Sequence, residues 1–193
     1  MTSRDYSFEF SLPEWLAPIL PDPEQAIIDL TQRMDLVLDL VEANIRHDGG
    51  PFAAGVFDAE GRLVAPGINR VVDDGCSVLH AEMVALMLAQ RRLGRHDLSD
   101  GGKYRYELVT STEPCAMCLG ALPWSGVRRL VCGARDEDAR AVGFDEGDKP
   151  GHWFEGLQRR GIDVRRDVAR ERAVALLQLY VESGGVVYNG GDN

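Results

Sequence analysis

The first third of the chain changes from a helical to a strand-like pattern of hydrophobic positions. A stretch from Pro23-Glu24 to about His47 carries apolar residues three or four positions apart, which predicts an amphipathic helix. The apolar positions are Ile27, Leu30, Met34, Leu38 and Val41. Two short apolar runs at 52–57 and 62–65 flank the turn sequence 58–61, Asp-Ala-Glu-Gly, and predict a β-hairpin.

Helical and strand patterns alternate through the rest of the chain. The predicted elements are a helix at 81–93, a strand at 104–110, a helix opening at Cys115, a strand at 127–132, a loop or short helix at 135–142, a helical turn at 153–160, a strand at 162–164 and a helix at 169–183. This order predicts an α/β fold, a three-layer α/β/α sandwich around a mixed five-stranded sheet. Helices join the last strands, which are therefore expected to be parallel.

Two short motifs supply three ligands suited to zinc. His80-Ala81-Glu82 offers one imidazole, and Pro114-Cys115-Ala116-Met117-Cys118 offers two thiolates. Three protein ligands leave the fourth position of a tetrahedral zinc ion to water or hydroxide, which is typical of a catalytic site. Both motifs open predicted helices, where the helix dipole favours thiolates. We therefore predict one Zn²⁺ bound by His80, Cys115 and Cys118, with Glu82 moving protons beside it.

Two other interpretations of these cysteines and histidines stay open. A structural zinc site would need a fourth protein ligand, and the candidates are Cys76, Cys132, His96 and His152. Cys76 lies four residues before His80, whereas Cys132 lies in an apolar run and is expected to be an inert core thiol. A redox CxxC is the second interpretation, but no thioredoxin-type strand precedes the pair.

Composition narrows the choice of partners. The chain has 193 residues and a net charge of −10, which disfavours a polynucleotide because phosphate binding needs a basic surface. A free base or another small heterocycle is favoured instead. No apolar run approaches the ~20 residues that span a bilayer, and the first residues lack the apolar core of a signal peptide. Four cysteines, two of them assigned to metal, make no disulfide framework and predict a cytoplasmic protein.

A family resemblance rests on five sequence segments within residues 24–183. They are Gly50-Pro51-Phe52-Ala53-Ala54-Gly55-Val56, Gly67-Ile68-Asn69-Arg70-Val71, the His80 motif, Glu113-Pro114-Cys115-Ala116-Met117-Cys118-Leu119-Gly120-Ala121, and Phe144-Asp145-Glu146-Gly147. The chain resembles the cytidine deaminase-like superfamily and, within it, the bacterial guanine deaminases. The resemblance implies a cytidine deaminase-like fold and hydrolysis of guanine to xanthine and ammonia, with ammeline and related amino-triazines as further candidate substrates.

The resemblance also implies the borders of the domain. Residues 24–183 are expected to form the deaminase domain and 184–193 a glycine-rich tail that closes over an active site. Residues 1–23 are punctuated by proline and partly aromatic, and this composition predicts an extension that packs across the domain. Similar tails act in their own subunit or in a partner's, and that choice stays open. The resemblance suggests a homodimer, which exposed apolar faces on the zinc helices would support.

Individual pocket residues follow from the resemblance, each with a structural alternative. Asn69 is expected to hydrogen-bond the base, but its side chain also suits a local turn after Gly67. Phe52 is expected to line the pocket, although a buried strand position fits core packing equally well. Trp124 is a candidate pocket wall for which core packing is the better interpretation.

The segment after residue 143 and the tail complete the expected site. Glu146 is expected to be a second acid, with Asp145 as the alternative, and Phe144 is expected to contact the base. The same residues would also suit an acidic surface loop. In the tail, Tyr188 or Asn189 is expected to touch the substrate.

Three competing functions remain. The first is a transfer RNA adenosine deaminase, which a basic pocket mouth would support. The second is a deaminase of cytosine, cytidine or another base or nucleoside. The third is a binding module in which zinc only stabilises the fold, and a proton-shuttling Glu82 argues against it.

Overall fold

One five-stranded sheet organises the part of the chain that the structure, a computed structural model, describes, which is residues 8–189. The elements are a 3-10 turn Glu14–Leu16, α1 Leu30–Arg46, β1 Ala53–Phe57, β2 Leu63–Ile68, α2 Ala81–Leu93, β3 Glu107–Thr112, α3 Ala116–Ser125, β4 Arg129–Ala134, α4 Asp136–Ala141, α5 Trp153–Arg159, β5 Asp163–Arg165 and α6 Arg170–Glu182. Every helix among these residues is too short or too polar to span a bilayer.

The sheet has the strand order β2-β1-β3-β4-β5. Strand β1 pairs antiparallel with both β2 and β3, whereas β3–β4 and β4–β5 are parallel. The helices α3 and α5 lie in the two connections that join the parallel strands. The mixed five-stranded sheet and its parallel final strands are thus confirmed.

A hydrophobic core lies on each face of the sheet. Apolar residues of α1 and α6, including Leu38 and Leu177, pack together on one face. Residues of α2, α3 and α5, including Ala85 and Leu122, pack on the other. The two cores give the three-layer α/β/α arrangement that the order of elements predicted.

The first helix begins later than predicted, at Leu30 instead of Pro23-Glu24. Residues before it are held by the β1–β2 hairpin, because Ala26 bridges to Arg62 and the Ile27 N–H donates to the Gly61 carbonyl at 2.9 Å. Asp29 then caps the helix by accepting from the Gln32 N–H at 3.0 Å. The chain therefore stays extended for several residues where the apolar spacing alone suggested a helix.

Gly67 lets α2 approach the sheet closely. A Cβ atom at this position would lie 2.1 Å from the Ala81 carbonyl oxygen and 2.6 Å from the Ala85 nitrogen. Because those distances are far below van der Waals contact, only glycine permits this packing. The close approach fixes the first turn of α2, and with it His80 and Glu82, against the end of β2.

Candidate zinc centre and substrate pocket

Three metal-ligating side chains converge where two helices begin. His80 is the N-cap of α2, Cys115 is the N-cap of α3, and Cys118 lies in the first turns of α3. One ligand atom from each lies within 4.8 Å of the other two, and the Cys115 Sγ to His80 Nδ1 distance is 3.4 Å. Both helix dipoles therefore direct their positive ends toward the thiols.

The three side chains are coupled in their ionisation, and a zinc ion bound by them would displace the protons that they hold. A hydrogen bond with Cys118 lowers the pKa of the Cys115 thiol to about 4, and the same bond raises the pKa of Cys118. Burial lowers the pKa of His80, but its hydrogen bond to Cys115 and the charge of Glu82 outweigh burial and raise it. Two thiols and one imidazole within reach of one point match the ligands and spacing that zinc requires.

Glu82 lies beside the metal ligands and lines the same pocket as His80 and Cys115. Its side chain is buried in the first turn of α2. Burial raises the pKa of Glu82, and the negative charge of Cys115 raises it further. A carboxyl group with a raised pKa next to an open metal position can accept and return protons near neutral pH.

The proposed fourth protein ligands lie outside the group. In the described part of the chain, none of Cys76, Cys132, His96 and His152 joins the cluster of three ligands. Cys132 is fully buried in β4, and burial raises its pKa well above the usual thiol value, as expected for a core residue. The arrangement therefore favours an open, catalytic position over a closed structural sphere.

The pocket beside the ligands is assembled from segments that are distant in the sequence. Its lining residues are Phe52, Asn69, His80, Glu82, Thr112, Glu113, Cys115, Phe144, Asp145, Glu146 and Tyr188. Thr112 and Glu113 were missed by sequence reasoning, although both directly precede the cysteine motif. Glu113 is fixed by a hydrogen bond from Arg166 at 2.5 Å and another from the Asp136 N–H at 3.2 Å.

Asn69 is buried, and its two side-chain atoms have different partners. Its Nδ2 donates to the Tyr188 hydroxyl, while its Oδ1 accepts from the Val71 N–H at 3.3 Å. The structure thus combines the local turn and the pocket-facing amide, which were alternatives in the sequence.

A buried asparagine in α1, Asn44, holds the backbone of Asn69 by a hydrogen bond. Asn44 donates through Nδ2 to the carbonyl oxygens of Gly50 at 2.8 Å and Asn69 at 3.1 Å. This residue was missed, but it left a signal, because it is a polar residue that continues the buried stripe of α1 after Val41. A buried amide at such a position needs partners, and here they are backbone carbonyls just before β1 and just after β2.

Aromatic rings form one wall of the pocket. Phe52 and Phe144 meet edge to face, with ring centroids 4.9 Å apart. Tyr188 meets Phe144 at 5.8 Å and the His80 ring at 6.2 Å, both also edge to face. These rings line the pocket next to the metal ligands with apolar surface, which suits a small heterocycle.

The two candidate second acids occupy different environments. Glu146 is buried and lines the pocket, and burial raises the pKa of its carboxyl to about 8 against the opposing charge of Lys149. Asp145 has a side chain that is 54% exposed and lies 3.6 Å from Arg140. Environment therefore distinguishes two adjacent carboxylates that the sequence alone left as alternatives.

The described part of the tail lies over the pocket of its own chain. Tyr188 reaches Asn69, and Asn189 accepts from the Asp145 N–H at 2.9 Å and donates to the Gly143 carbonyl at 3.1 Å. The Tyr180 hydroxyl also donates to the Val186 carbonyl at 2.8 Å. Residues 190–193, the end of the expected tail, lie outside the described range.

Trp124 differs from both of its sequence interpretations. Its side chain is 81% exposed, and it is absent from the pocket lining and from the core. The residue lies near the end of α3, where the helix surface faces outward. Its apolar neighbours in the sequence concealed this, because α3 is apolar on exposed and buried faces alike.

Comparison with known proteins identifies relatives with the same arrangement of elements. Residues 29–134 match the sequence model of the family described as the cytidine and deoxycytidylate deaminase zinc-binding region. The solved guanine deaminase of Nitrosomonas europaea is 49% identical, covers 92% of this chain and 98% of its own, and superposes with a TM-score of 0.86. A structure solved in complex with 2,6-diaminopurine is 51% identical, with 94% and 96% coverage and a TM-score of 0.87.

A shorter relative shares part of the chain. The guanine deaminase of Bacillus subtilis is 37% identical over 117 residues, which cover 61% of this chain and 69% of that protein.

Proposed function

The chain belongs to the cytidine and deoxycytidylate deaminase zinc-binding family, and on that premise we propose that it deaminates guanine to xanthine and ammonia. One observation carries the choice of guanine: besides Glu82, and besides Glu113, which is paired with Arg166, the pocket holds a further buried carboxyl, Glu146, whose raised pKa suits proton donation. The likeness to the guanine deaminases of Nitrosomonas europaea and Bacillus subtilis supports the same choice.

The two carboxyl groups have separate tasks in this proposal. His80, Cys115 and Cys118 would hold a zinc ion, which would supply the Lewis acidity that makes water reactive at neutral pH. Glu82 accepts a proton from that water and delivers one to the ring nitrogen beside the amino-bearing carbon, C2. Guanine has ring nitrogens on both sides of C2. Without a second acid, one carboxyl group would have to carry out all of the proton transfers around that carbon.

Glu146 provides the second proton source. Its raised pKa keeps the carboxyl protonated near neutral pH, so it can donate to the departing amine. Asp145, largely exposed and close to Arg140, lacks the burial that this role needs.

The remaining lining residues hold the base. Phe52 and Phe144 offer apolar contact, and the Asn69 amide offers a hydrogen bond at the inner end of the pocket. Tyr188 closes the pocket from the tail of the same chain and reaches the same amide. This combination of an aromatic wall and a few convergent polar groups is typical of small-molecule sites.

We further propose that the protein is a homodimer that acts on free bases in the cytoplasm. The surface of α2 and α3 exposes Met87 and Trp124, with 38% and 81% of their areas accessible, and Leu119 of α3 is half-buried. Such exposed apolar area on the zinc helices suits association of two copies, with a solution mass twice the 21.3 kDa of the chain. The charge of −10 supports a free base as substrate in place of a transfer RNA, and thiols kept reduced for zinc suit the cytoplasm.

Ammonia release from a panel of substrates tests the proposal. Zinc-loaded protein is mixed with guanine, ammeline, adenine, cytosine, cytidine or an adenosine-containing transfer RNA. We expect guanine to be turned over fastest. Faster release from cytosine or cytidine would retain the zinc chemistry and overturn the assignment to guanine, and release from the RNA alone would replace the free base with a polynucleotide.

A further inference from the structure

Lys149 is a buried cation on the loop that carries Glu146. The chain has two lysines, and the side chain of Lys149 is 6% exposed whereas that of Lys103 is 72% exposed. Removing an ammonium group from water is costly unless other groups replace its hydration. The contacts of the Lys149 ammonium group therefore indicate which groups replace its hydration and what role the buried charge has.

The ammonium group contacts three separate segments. Its Nζ donates to the Pro114 carbonyl at 2.8 Å, directly before the zinc ligand Cys115. It lies 2.6 Å from Asp136 Oδ1 at the start of α4, and 3.8 Å from Glu146 Oε2. One side chain thus connects the metal-binding helix, α4 and the second acid of the pocket.

The backbone of this loop has its own attachments. The Ala116 N–H donates to the Glu146 carbonyl at 2.9 Å, and the Arg140 guanidinium donates to the Gly147 carbonyl at 2.6 Å. Gly147 also has a φ of 68°, which places the turn in the left-handed region that favours glycine. These bonds hold the main chain of the loop without help from Lys149. On this loop, the lysine therefore acts on the side chain of Glu146.

We propose that Lys149 is a positioning residue that keeps the Glu146 carboxyl directed into the pocket. Within residues 8–189, Lys149 is the cation that pairs with Glu146. The hydrogen bond to Pro114 and the ion pair with Asp136 fix the ammonium group, which lies beside one carboxyl oxygen of Glu146, attracts it as its negative charge develops on proton donation, and leaves the other oxygen available to the substrate. The inference rests on the proposed function, because it assigns Glu146 the role of second acid.

A double-mutant cycle separates positioning from general stability. Lys149→Met removes the positive charge and nearly keeps the length of the side chain. We expect it to lower kcat on guanine roughly tenfold with little change in KM. If Lys149 acts through Glu146, the double variant with Glu146→Gln should be no slower than Glu146→Gln alone. Effects on kcat that multiply in the double variant would overturn the proposal.

Matched variants control for folding. Lys103→Met removes the exposed lysine and should leave kcat unchanged, and Lys149→Arg, which restores the positive charge, should recover part of the rate. Zinc content and Tm are measured for every variant. A Lys149→Met protein whose loss of kcat follows lost zinc would contradict the proposal.

A crystal structure of Lys149→Met gives a readout that does not depend on the substrate. We expect the Glu146 carboxyl to leave its place in the pocket. A carboxyl that stays in place overturns the inference whatever base the enzyme uses. Absence of ammonia release from guanine by the wild-type protein would instead contradict the proposed function and leave this structural test intact.

Discussion

The two sides of the pocket are built in different ways. The metal side comes from two short motifs, each at the start of a helix, and the first of these helices, α2, packs tightly on the sheet at Gly67. The opposite side combines Asn69 with Glu146 and Tyr188, and the hydrogen bond that closes it joins residues 119 positions apart. The metal ligands and Glu82 are thus placed by local helix geometry, whereas Glu146 and the polar groups around it depend on how segments distant in the sequence meet.

The largest expected effect is on the metal side. Glu82→Gln preserves shape and hydrogen bonding but cannot carry a proton, so turnover should fall by about 100- to 10,000-fold. Zinc content, measured by atomic absorption, should equal that of the wild type, because Glu82 is not one of the three converging ligands. Full turnover in this variant would remove Glu82 from the mechanism.

A smaller effect is expected across the pocket. Glu146→Gln should lower kcat by about 100-fold, at the lower end of acid–base contributions, because Glu82 still moves protons. Asp145→Asn is the matched control on the adjacent, exposed residue and should stay within about twofold of wild type. Steady-state kinetics on guanine compare the two. Equal losses of kcat in both variants would mean that Glu146 has no specific role as an acid and that either substitution only disturbs the loop.

The smallest effect on turnover is expected at Trp124, on the outer surface of the metal side. Trp124→Glu places a charge on the exposed apolar face without touching the pocket. Sedimentation velocity should show a shift from dimer toward monomer, while kcat per chain changes by less than about threefold because the pocket is formed within one chain. A dimer that persists unchanged would show that this face is not the interface.

The same contrast explains how much could be predicted. The strands and most helices followed from apolar periodicity, and the metal ligands from two motifs. The start of α1 did not, because a bridge between Ala26 and Arg62 overrides local helical spacing. Lys149 and Asn44 carry no motif, since their importance comes from contacts with backbone carbonyls far along the chain. Trp124 was misplaced because hydrophobicity alone does not say which face of an apolar helix is covered.

If Asn69 binds the base as proposed, its bond to Tyr188 makes entry of a base an exchange of hydrogen-bond partners. With the pocket closed by its own tail, the buried amide already has an acceptor. A base that offers an acceptor in the same place replaces the hydroxyl and leaves the amide satisfied. A base without such an acceptor leaves a buried N–H without a partner. This costs about 1–3 kcal/mol of binding free energy, which weakens affinity roughly 5- to 150-fold. In the proposed site, the Tyr188 hydroxyl thus competes with every incoming base for the Asn69 N–H donor.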